Sequence, residues 1–183
     1  MHAQFNVEMK ANIKSVLLST CLLALFGGMS CSGPGRGIAS QDGDCIPPQD
    51  MANLKLIMAA IEGDTLKMSA MIKAGANVNT SDDTFGTPLV SAVYSGNVDA
   101  LKLLLNKGAN ANATDVEGCS GLIVAALLNR QEVVRLLVSR GADVNASCYP
   151  MANGKRLGKL TVLRAAKDNE ATVKFLTDAG AKE

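Results

Sequence analysis

Histidine and aromatic residues are scarce in this sequence of 183 residues, and their scarcity excludes several kinds of protein. His2 is the only histidine, so we expect no Ser-His-Asp or Cys-His catalytic site and no histidine-containing zinc site in the body of the protein. Tryptophan is absent, and aromatic residues make up 3% of the chain. The core must therefore be aliphatic and rich in alanine, which disfavours sandwich and barrel folds.

The sequence also lacks an excess of charge and any cysteine pair at metal-binding spacing. Lys and Arg number 18 against 17 Asp and Glu, a balance that argues against broad electrostatic binding to nucleic acid. No Cys-x-x-Cys motif supports redox catalysis or a thiolate zinc site. An enzyme would depend on carboxylates such as Asp82 with Asp83, but adjacent turn residues make a poor acid–base pair. We therefore expect a non-enzymatic protein without a cofactor or a metal.

Residues 1–30 predict an export signal. Lys10 and Lys14 precede an apolar run from Val16 to Phe26, and small residues follow. A basic segment, a short apolar run and a cleavage site made of small residues are the parts of a signal peptide. The run is shorter than the roughly 20 residues of a membrane span. Met9 begins a better basic segment than the first methionine does, which suggests that translation starts there.

Cys31 follows the predicted signal and is a candidate for lipidation. The segment from Gly28 to Cys31 resembles the lipobox of bacterial lipoproteins, with Ser30 as expected and Gly28 in place of the preferred leucine. The resemblance implies a lipid anchor on Cys31 and a periplasmic, outer-membrane-anchored protein. Simple secretion with cleavage before Cys31 and a retained anchor are the alternatives.

Glycines and prolines in residues 31–50 predict a flexible linker.

The remainder of the chain repeats with a period of 33 residues. Gly-Ala pairs stand at 75–76, 108–109 and 141–142, and leucines recur at Leu56, Leu89 and Leu122. In the second copy, apolar residues from Leu89 onward lie on one helical face, and residues 100–105 form a second apolar helix. Thr87 is placed to cap the first helix, and Gly108 to end the second. The pattern predicts a series of helical hairpins.

These copies resemble ankyrin repeats. The segment from Thr87 to Ala92 matches the T-P-L-H-x-A signature except that Val90 replaces histidine. A weaker copy begins at Ser120, and a fourth begins at Thr161 after about eight extra residues. The resemblance implies an all-α solenoid of about four stacked helix-turn-helix units over residues 51–183, with projecting turns called fingers. The units cover about 51–81, 82–114, 115–147 and 148–183.

The resemblance also implies that a protein partner binds the concave face and the fingers. An apolar residue lies five positions after each repeated leucine, at Ile61, Tyr94 and Leu127, and Leu128 is next to the last of these. These side chains either form a dry contact patch for a partner or simply pack against neighbouring helices. The first fingers carry acidic residues and the last finger carries basic residues. The extended last finger either reaches into an acidic cleft of a partner or is a solvated loop. The predicted finger residues are Asp82, Asp83, Phe85, Asp115, Glu117, Tyr149, Met151, Lys155, Arg156 and Lys159. Tyr94 and Tyr149 are the preferred anchors because tyrosine is enriched in binding hot spots. Phe85 stands where the family usually has a turn glycine, so that finger is either reshaped or packed against its neighbour.

Three cysteines remain after the predicted signal if Cys31 is lipidated. Cys119 and Cys148 map to adjacent fingers, so a bridge between them is conceivable, although the insertion obscures their separation. We expect free or partly buried thiols at these positions and at Cys45.

The resemblance suggests a monomeric protein-binding module of the bacterial envelope. Some exported ankyrin proteins are held to neutralise envelope enzymes or toxins, so an inhibitor or immunity partner of a periplasmic hydrolase, acting by occlusion, is the specific expectation. The alternatives are an envelope scaffold that supports another enzyme, for example in oxidative defence, and a secreted effector.

Overall fold

The structure is a computed structural model that describes residues 38–39, 45–46, 48–83, 85–152, 155–156 and 158–182. The predicted signal peptide, the alternative start at Met9 and the predicted lipidation at Cys31 lie outside these residues. The chain divides into two compact parts, residues 1–51 and residues 52–183. Within the described residues, no helix has the length and apolar character needed to cross a membrane.

Short regular elements occur within residues 31–50, the predicted linker. Strand β1, Ile38–Ala39, pairs antiparallel with β2, Cys45–Ile46. Helix α1, Pro48–Glu62, begins with a proline, whose fixed φ angle suits the first turn of a helix. The predicted domain boundary at residue 51 therefore falls inside α1.

Four helical hairpins follow one another along the described residues, as the repeat pattern predicts for an all-α solenoid. The remaining helices are α2 (Thr65–Lys73), α3 (Pro88–Ser95), α4 (Val98–Asn106), α5 (Gly121–Leu127), α6 (Gln131–Ser139), α7 (Val162–Ala165) and α8 (Glu170–Asp178). We call the pairs α1–α2, α3–α4, α5–α6 and α7–α8 repeats one to four. Helices α3, α5 and α7 pack side by side, and α2, α4 and α6 pack in a second row.

Local chemistry fixes the ends of these helices. The Thr87 hydroxyl caps α3 by accepting a hydrogen bond from the Val90 backbone N–H, and Pro88 occupies the first helical position. Ser120 and Thr161 cap α5 and α7 in the same way. Gly108 adopts a left-handed φ of 86° directly after α4. The predicted capping roles of Thr87 and Gly108 are confirmed.

Aliphatic side chains fill the core between the two rows of helices, as the composition predicts. The largest fully buried residues include the three repeated leucines, together with Ile123 and Leu137. Each hairpin alone would expose this apolar face to water, so the repeats stabilise one another by stacking. The buried core is continuous from Leu56 to Ala181.

An asparagine ladder joins successive repeats at the base of the fingers. Asn79 Oδ1 accepts from the Asn110 backbone N–H at 2.8 Å, and Asn79 Nδ2 donates to the Gly108 carbonyl oxygen at 3.1 Å. Asn112 and Asn145 make the same two contacts to the repeat that follows each of them. The ladder explains why asparagine recurs at this position of the first three copies.

The fourth repeat departs from the others. Its first helix, α7, has four residues, whereas α3 has eight and α5 has seven. The insertion before it forms strand β3 (Ser147–Cys148), β4 (Met151–Ala152), β5 (Lys155–Arg156) and β6 (Leu160–Thr161). Strand β3 pairs with β6 and β4 pairs with β5, both antiparallel. The last finger is therefore a β-hairpin, which the helical repeat pattern did not predict.

Candidate functional site

Three fingers separate the four repeats. We name them finger A (residues 76–87), finger B (109–120) and finger C (142–161). Antiparallel pairing closes each finger: Asp82 pairs with Gly86, Thr114 with Ser120, and Ser147 with Thr161. Fingers A and B are short, and the insertion extends finger C through β4 and β5.

Asp115 organises finger B and links it to repeat two. Its Oδ1 accepts from the backbone N–H groups of Glu117 and Cys119 at 2.9 and 2.8 Å. Its Oδ2 accepts from the Tyr94 hydroxyl at 3.3 Å, and Tyr94 belongs to α3. One carboxylate thus shapes the finger and ties it to a neighbouring helix.

Tyr94 is a neutral donor in this contact. Burial raises the pKa of its hydroxyl well above the usual value, and the negative charges of Asp115 and Glu117 raise this pKa further. The Tyr94 ring is half-buried and packs against the core. The residue predicted as a binding anchor therefore also positions finger B.

The other members of the predicted concave patch are half-buried as well. Leu127 and Leu128 pack against the core, and Ile61 is half-buried at the end of α1. Part of each side chain still reaches solvent, and binding of a partner by this patch stays a prediction.

Finger A is reshaped around Phe85. Gly118 of finger B has a φ of 79°, and the equivalent left-handed residue of finger A is Gly86, with a φ of 70°, one position later. The Phe85 backbone N–H donates to Asp82 Oδ1 at 3.1 Å, and the Phe85 ring is half-buried. A Cβ at Gly86 would lie 3.3 Å from the Asp115 Cα, so this glycine allows fingers A and B to approach closely. The reshaped finger, one of the two alternatives for Phe85, is therefore present, and packing of its ring against the next finger stays a prediction.

Exposed apolar side chains lie on fingers B and C. Val116, at the tip of finger B, is 58% exposed, and Tyr149, next to β3, is 47% exposed. Leu66 on α2 is the third exposed large hydrophobic residue of the described chain, and it lies on no finger. Val116 was missing from the predicted site, although an apolar residue between Asp115 and Glu117 in a finger was a usable signal.

The charges of the fingers are segregated as the sequence predicted. Asp83 and Glu117 are exposed on fingers A and B, and Asp82 is half-buried. Lys159 is exposed on finger C, and its carbonyl oxygen accepts from Arg164 Nη1 at 2.9 Å. Met151 lies in β4, and Lys155 and Arg156 lie in β5, so the hairpin carries these predicted residues.

A disulfide bond joins fingers B and C, which corrects the expectation of free thiols. Cys119 and Cys148 are bonded, with their Cα atoms 5.0 Å apart. Both residues are buried, at 3% and 4% exposure. The sequence concealed the pairing because the insertion after Cys148 obscured how finger C aligns with finger B.

Residues of repeats two and three also meet at the helix turns, outside the fingers. Arg130 Nη2 donates to the Tyr94 carbonyl oxygen at 3.2 Å, and the guanidinium lies over Gly96.

Among the described residues, no group of three or more His, Cys, Asp or Glu side chains is arranged to hold a metal ion.

The comparison with known protein families agrees with this architecture. The family model described as "Ankyrin repeats (3 copies)" matches residues 56–148. A search of curated proteins found no match. Ankyrin repeats generally mediate protein–protein binding, and ankyrin repeat proteins are typically non-enzymatic. Since the matched segment spans half of the chain and contains fingers A and B between its helical repeats, the chain belongs to the ankyrin repeat family.

Proposed function

We propose that this protein is an exported binding module of the bacterial envelope, and that fingers B and C occlude the active site of a periplasmic hydrolase. The observation that carries the proposal is the pair of exposed apolar side chains, Val116 and Tyr149, on two fingers that a disulfide joins. Apolar and tyrosine side chains on a rigid support are effective contact residues because little conformational entropy is lost on binding.

The charges beside this pair favour a partner with a mixed surface. Glu117 adjoins Val116 at an acidic tip, and Lys159 is exposed on the neighbouring basic finger. Charges of this kind at the rim of a contact chiefly steer association and exclude wrong partners. Val116 and Tyr149 would supply the buried centre of the contact.

Export is supported by two independent features. Residues 1–30 have the composition of a signal peptide, and Cys119–Cys148 is a bond that persists in oxidising compartments such as the periplasm. Anchoring through a lipid on Cys31 is part of the same proposal. The mass of the N-terminal peptide of the protein isolated from cells tests it, since lipidation would leave Cys31 as the modified first residue.

A crosslinked capture from native envelopes tests the binding function. The wild type is compared with Val116→Ser/Tyr149→Ala, and Leu66→Ser serves as the control because Leu66 is also an exposed large apolar residue, at 83% exposure, and lies on no finger. A hydrolase that is captured by the wild type and the control but not by the double variant is then purified and titrated. Loss of its activity at one equivalent supports occlusion, whereas binding with full activity favours the scaffold function. Equal capture by all three proteins contradicts the assigned surface.

A further inference from the structure

We propose that Arg130, in the turn between α5 and α6, is a positioning residue for finger B and acts on it through Tyr94 and Asp115. Arg130 Nη2 donates to the Tyr94 carbonyl oxygen at 3.2 Å, and the Tyr94 hydroxyl donates to Asp115 Oδ2 at 3.3 Å. Tyr94 is therefore held at its backbone by repeat three and at its side chain by finger B. The inference rests on the proposed function only for the use of finger B as a contact surface with Val116 at its tip.

Arg130 occupies a position that caps the second helix in the other repeats. Asp64, Asn97 and Asn169 stand directly before α2, α4 and α8, and each side chain accepts a hydrogen bond from a backbone N–H of the first turn. Arg130 stands directly before α6, and within the described residues its side chain makes no capping hydrogen bond. An arginine side chain only donates hydrogen bonds, so it cannot accept one from these N–H groups. Repeat three thus forgoes an interaction that normally stabilises the start of a helix.

The same turn departs from the other repeats at Asn129. Its φ is 53°, and it is the one residue other than glycine with a positive φ among the described residues. Gly63 and Gly96 hold the equivalent places in repeats one and two, each with a φ of 72°. A left-handed backbone is less favourable for a residue that has a side chain. Adjacent departures from local rules are typical of positions whose contacts serve something other than local stability.

The Arg130 guanidinium reaches repeat two instead of capping its own helix. It lies over Gly96, which ends α3 and has no side chain to obstruct it. The Tyr94 carbonyl is one of the last in α3, where carbonyl groups lack partners within the helix, and Arg130 supplies its donor. The buried Arg130 Nε has no hydrogen-bond partner among the described residues, which adds to the cost of this placement. The contact holds the last turn of α3, on which Tyr94 lies.

Asp115 transmits the position of Tyr94 to the tip of finger B. Its Oδ2 accepts from the Tyr94 hydroxyl, and its Oδ1 accepts from the backbone N–H groups of Glu117 and Cys119 at 2.9 and 2.8 Å. The hydroxyl therefore fixes the orientation of the carboxylate that shapes the tip. If the last turn of α3 loosens, the hydroxyl moves away and the carboxylate becomes free to rotate.

Finger A offers an internal comparison. Asp82 Oδ1 accepts from the Phe85 backbone N–H at 3.1 Å, as Asp115 Oδ1 accepts from amides of finger B. Ile61 stands at the position equivalent to Tyr94, one repeat earlier, and it has no hydroxyl to donate. Loss of the Arg130 contact should therefore affect amides of finger B and leave the Phe85 amide unchanged.

Arg130→Asn in the full chain tests the proposal, because asparagine stands at the equivalent place in repeats two and four. The variant should regain a cap on α6 while losing the hold on the Tyr94 carbonyl. Nuclear magnetic resonance measures amide exchange with solvent at Glu117 and Cys119, which both donate to Asp115 Oδ1. We expect both amides to exchange about fivefold faster, the effect of losing one hydrogen bond, and the Phe85 amide to change by less than about twofold.

Three further variants separate positioning from a general loss of stability. Tyr94→Phe removes only the hydroxyl and should accelerate the same two amides about fivefold. Tyr94→Phe/Arg130→Asn should exchange no faster than Tyr94→Phe alone, because Arg130 acts through Tyr94. Arg130→Ala has neither the cap nor the contact, so it should unfold at a lower urea concentration than Arg130→Asn. Its amide exchange at Glu117 and Cys119 should nevertheless equal that of Arg130→Asn.

Three results would overturn the proposal. The first is unchanged exchange at Glu117 and Cys119 in both Arg130 variants. The second is equal acceleration of the Phe85 amide, which would indicate general loosening, and the third is additive acceleration in the double variant, which would indicate a separate route. All these measurements use the protein without a partner. A failure of the proposed function appears elsewhere, as equal capture by the wild type and Val116→Ser/Tyr149→Ala, so the two proposals can fail separately.

Discussion

Replacing Gly96 with alanine tests how repeats two and three are joined at the helix turns. Gly96 ends α3 with a left-handed φ of 72°, and a Cβ placed on it would collide with the Arg130 guanidinium. Gly108 provides the matched control, since its φ is 86° and a Cβ there would have no neighbour within 4 Å. Both substitutions place alanine in the left-handed region, and the Gly96 substitution alone also displaces Arg130.

The expected changes in the free energy of unfolding follow from the left-handed alanine and from the displacement of Arg130. Alanine in the left-handed region costs about 1–2 kcal/mol, so Gly108→Ala should lower the free energy of unfolding by that amount. Gly96→Ala also removes the hydrogen bond from Arg130 Nη2 to the Tyr94 carbonyl oxygen, which contributes about 1.5–3 kcal/mol as a charge-assisted bond. Urea unfolding followed by circular dichroism should therefore find Gly96→Ala less stable than Gly108→Ala by about 1.5–3 kcal/mol.

The same pair of substitutions in an Arg130→Ala background identifies the cause. Without the guanidinium there is nothing for the new methyl group to displace, so the two alanine variants should differ by less than about 0.5 kcal/mol. Equal stability of the two single variants would refute the role of Arg130 in joining the repeats. A difference that persists without Arg130 would show that the collision is not its cause.

Three further predictions concern the ladder, the fourth repeat and finger B. Asn112→Ala removes two hydrogen bonds to the following repeat and should lower the free energy of unfolding by about 1–2 kcal/mol. The control is Asn106→Ala at the exposed end of α4, which should change the free energy of unfolding by less than about 0.5 kcal/mol. Thr172→Val replaces a buried hydroxyl that has no partner and should raise the melting temperature, so an unchanged or lower value would contradict the packing described. The raised pKa of Tyr94 means that the folded state retains a proton that the unfolded state loses above pH 10, so stability should fall as the pH rises beyond 10. Between pH 8 and 11 this loss should be about 1 kcal/mol smaller in Tyr94→Phe, and identical pH profiles would refute the raised pKa of Tyr94, which arises first from burial and then from Asp115.

The regular part of the fold was predictable because its signals are local. A threonine before a proline caps a helix through its own neighbours, as Thr87 and Pro88 do, and Gly108 ends α4 through its own φ angle. The spacing of 33 residues then places each local unit on its predecessor without knowledge of distant contacts. The acidic and basic ends of the finger series could also be predicted, because they depend only on where charges occur along the chain.

Features that depend on distant partners were not predictable from the sequence. The Tyr94 hydroxyl meets Asp115, 21 residues later, and this contact makes the predicted anchor a positioning residue. The Cys119–Cys148 bond depends on how the insertion folds, and the repeat period gives no information about an insertion. Finger A differs for a similar reason, since moving the left-handed residue to Gly86 adapts the turn to Phe85 and to the nearby backbone of Asp115.

Val116 and Tyr149 form the centre of the proposed protein-binding surface. Once the captured hydrolase is identified, its Kd for the wild type is compared with that for Tyr149→Ala by calorimetric titration, with Leu66→Ser as the control. A tyrosine at the centre of a contact contributes about 2 kcal/mol or more, so we predict binding at least about 30-fold weaker for Tyr149→Ala and a change below about threefold for Leu66→Ser. Unchanged affinity of Tyr149→Ala, or equal weakening by both substitutions, would contradict the claim.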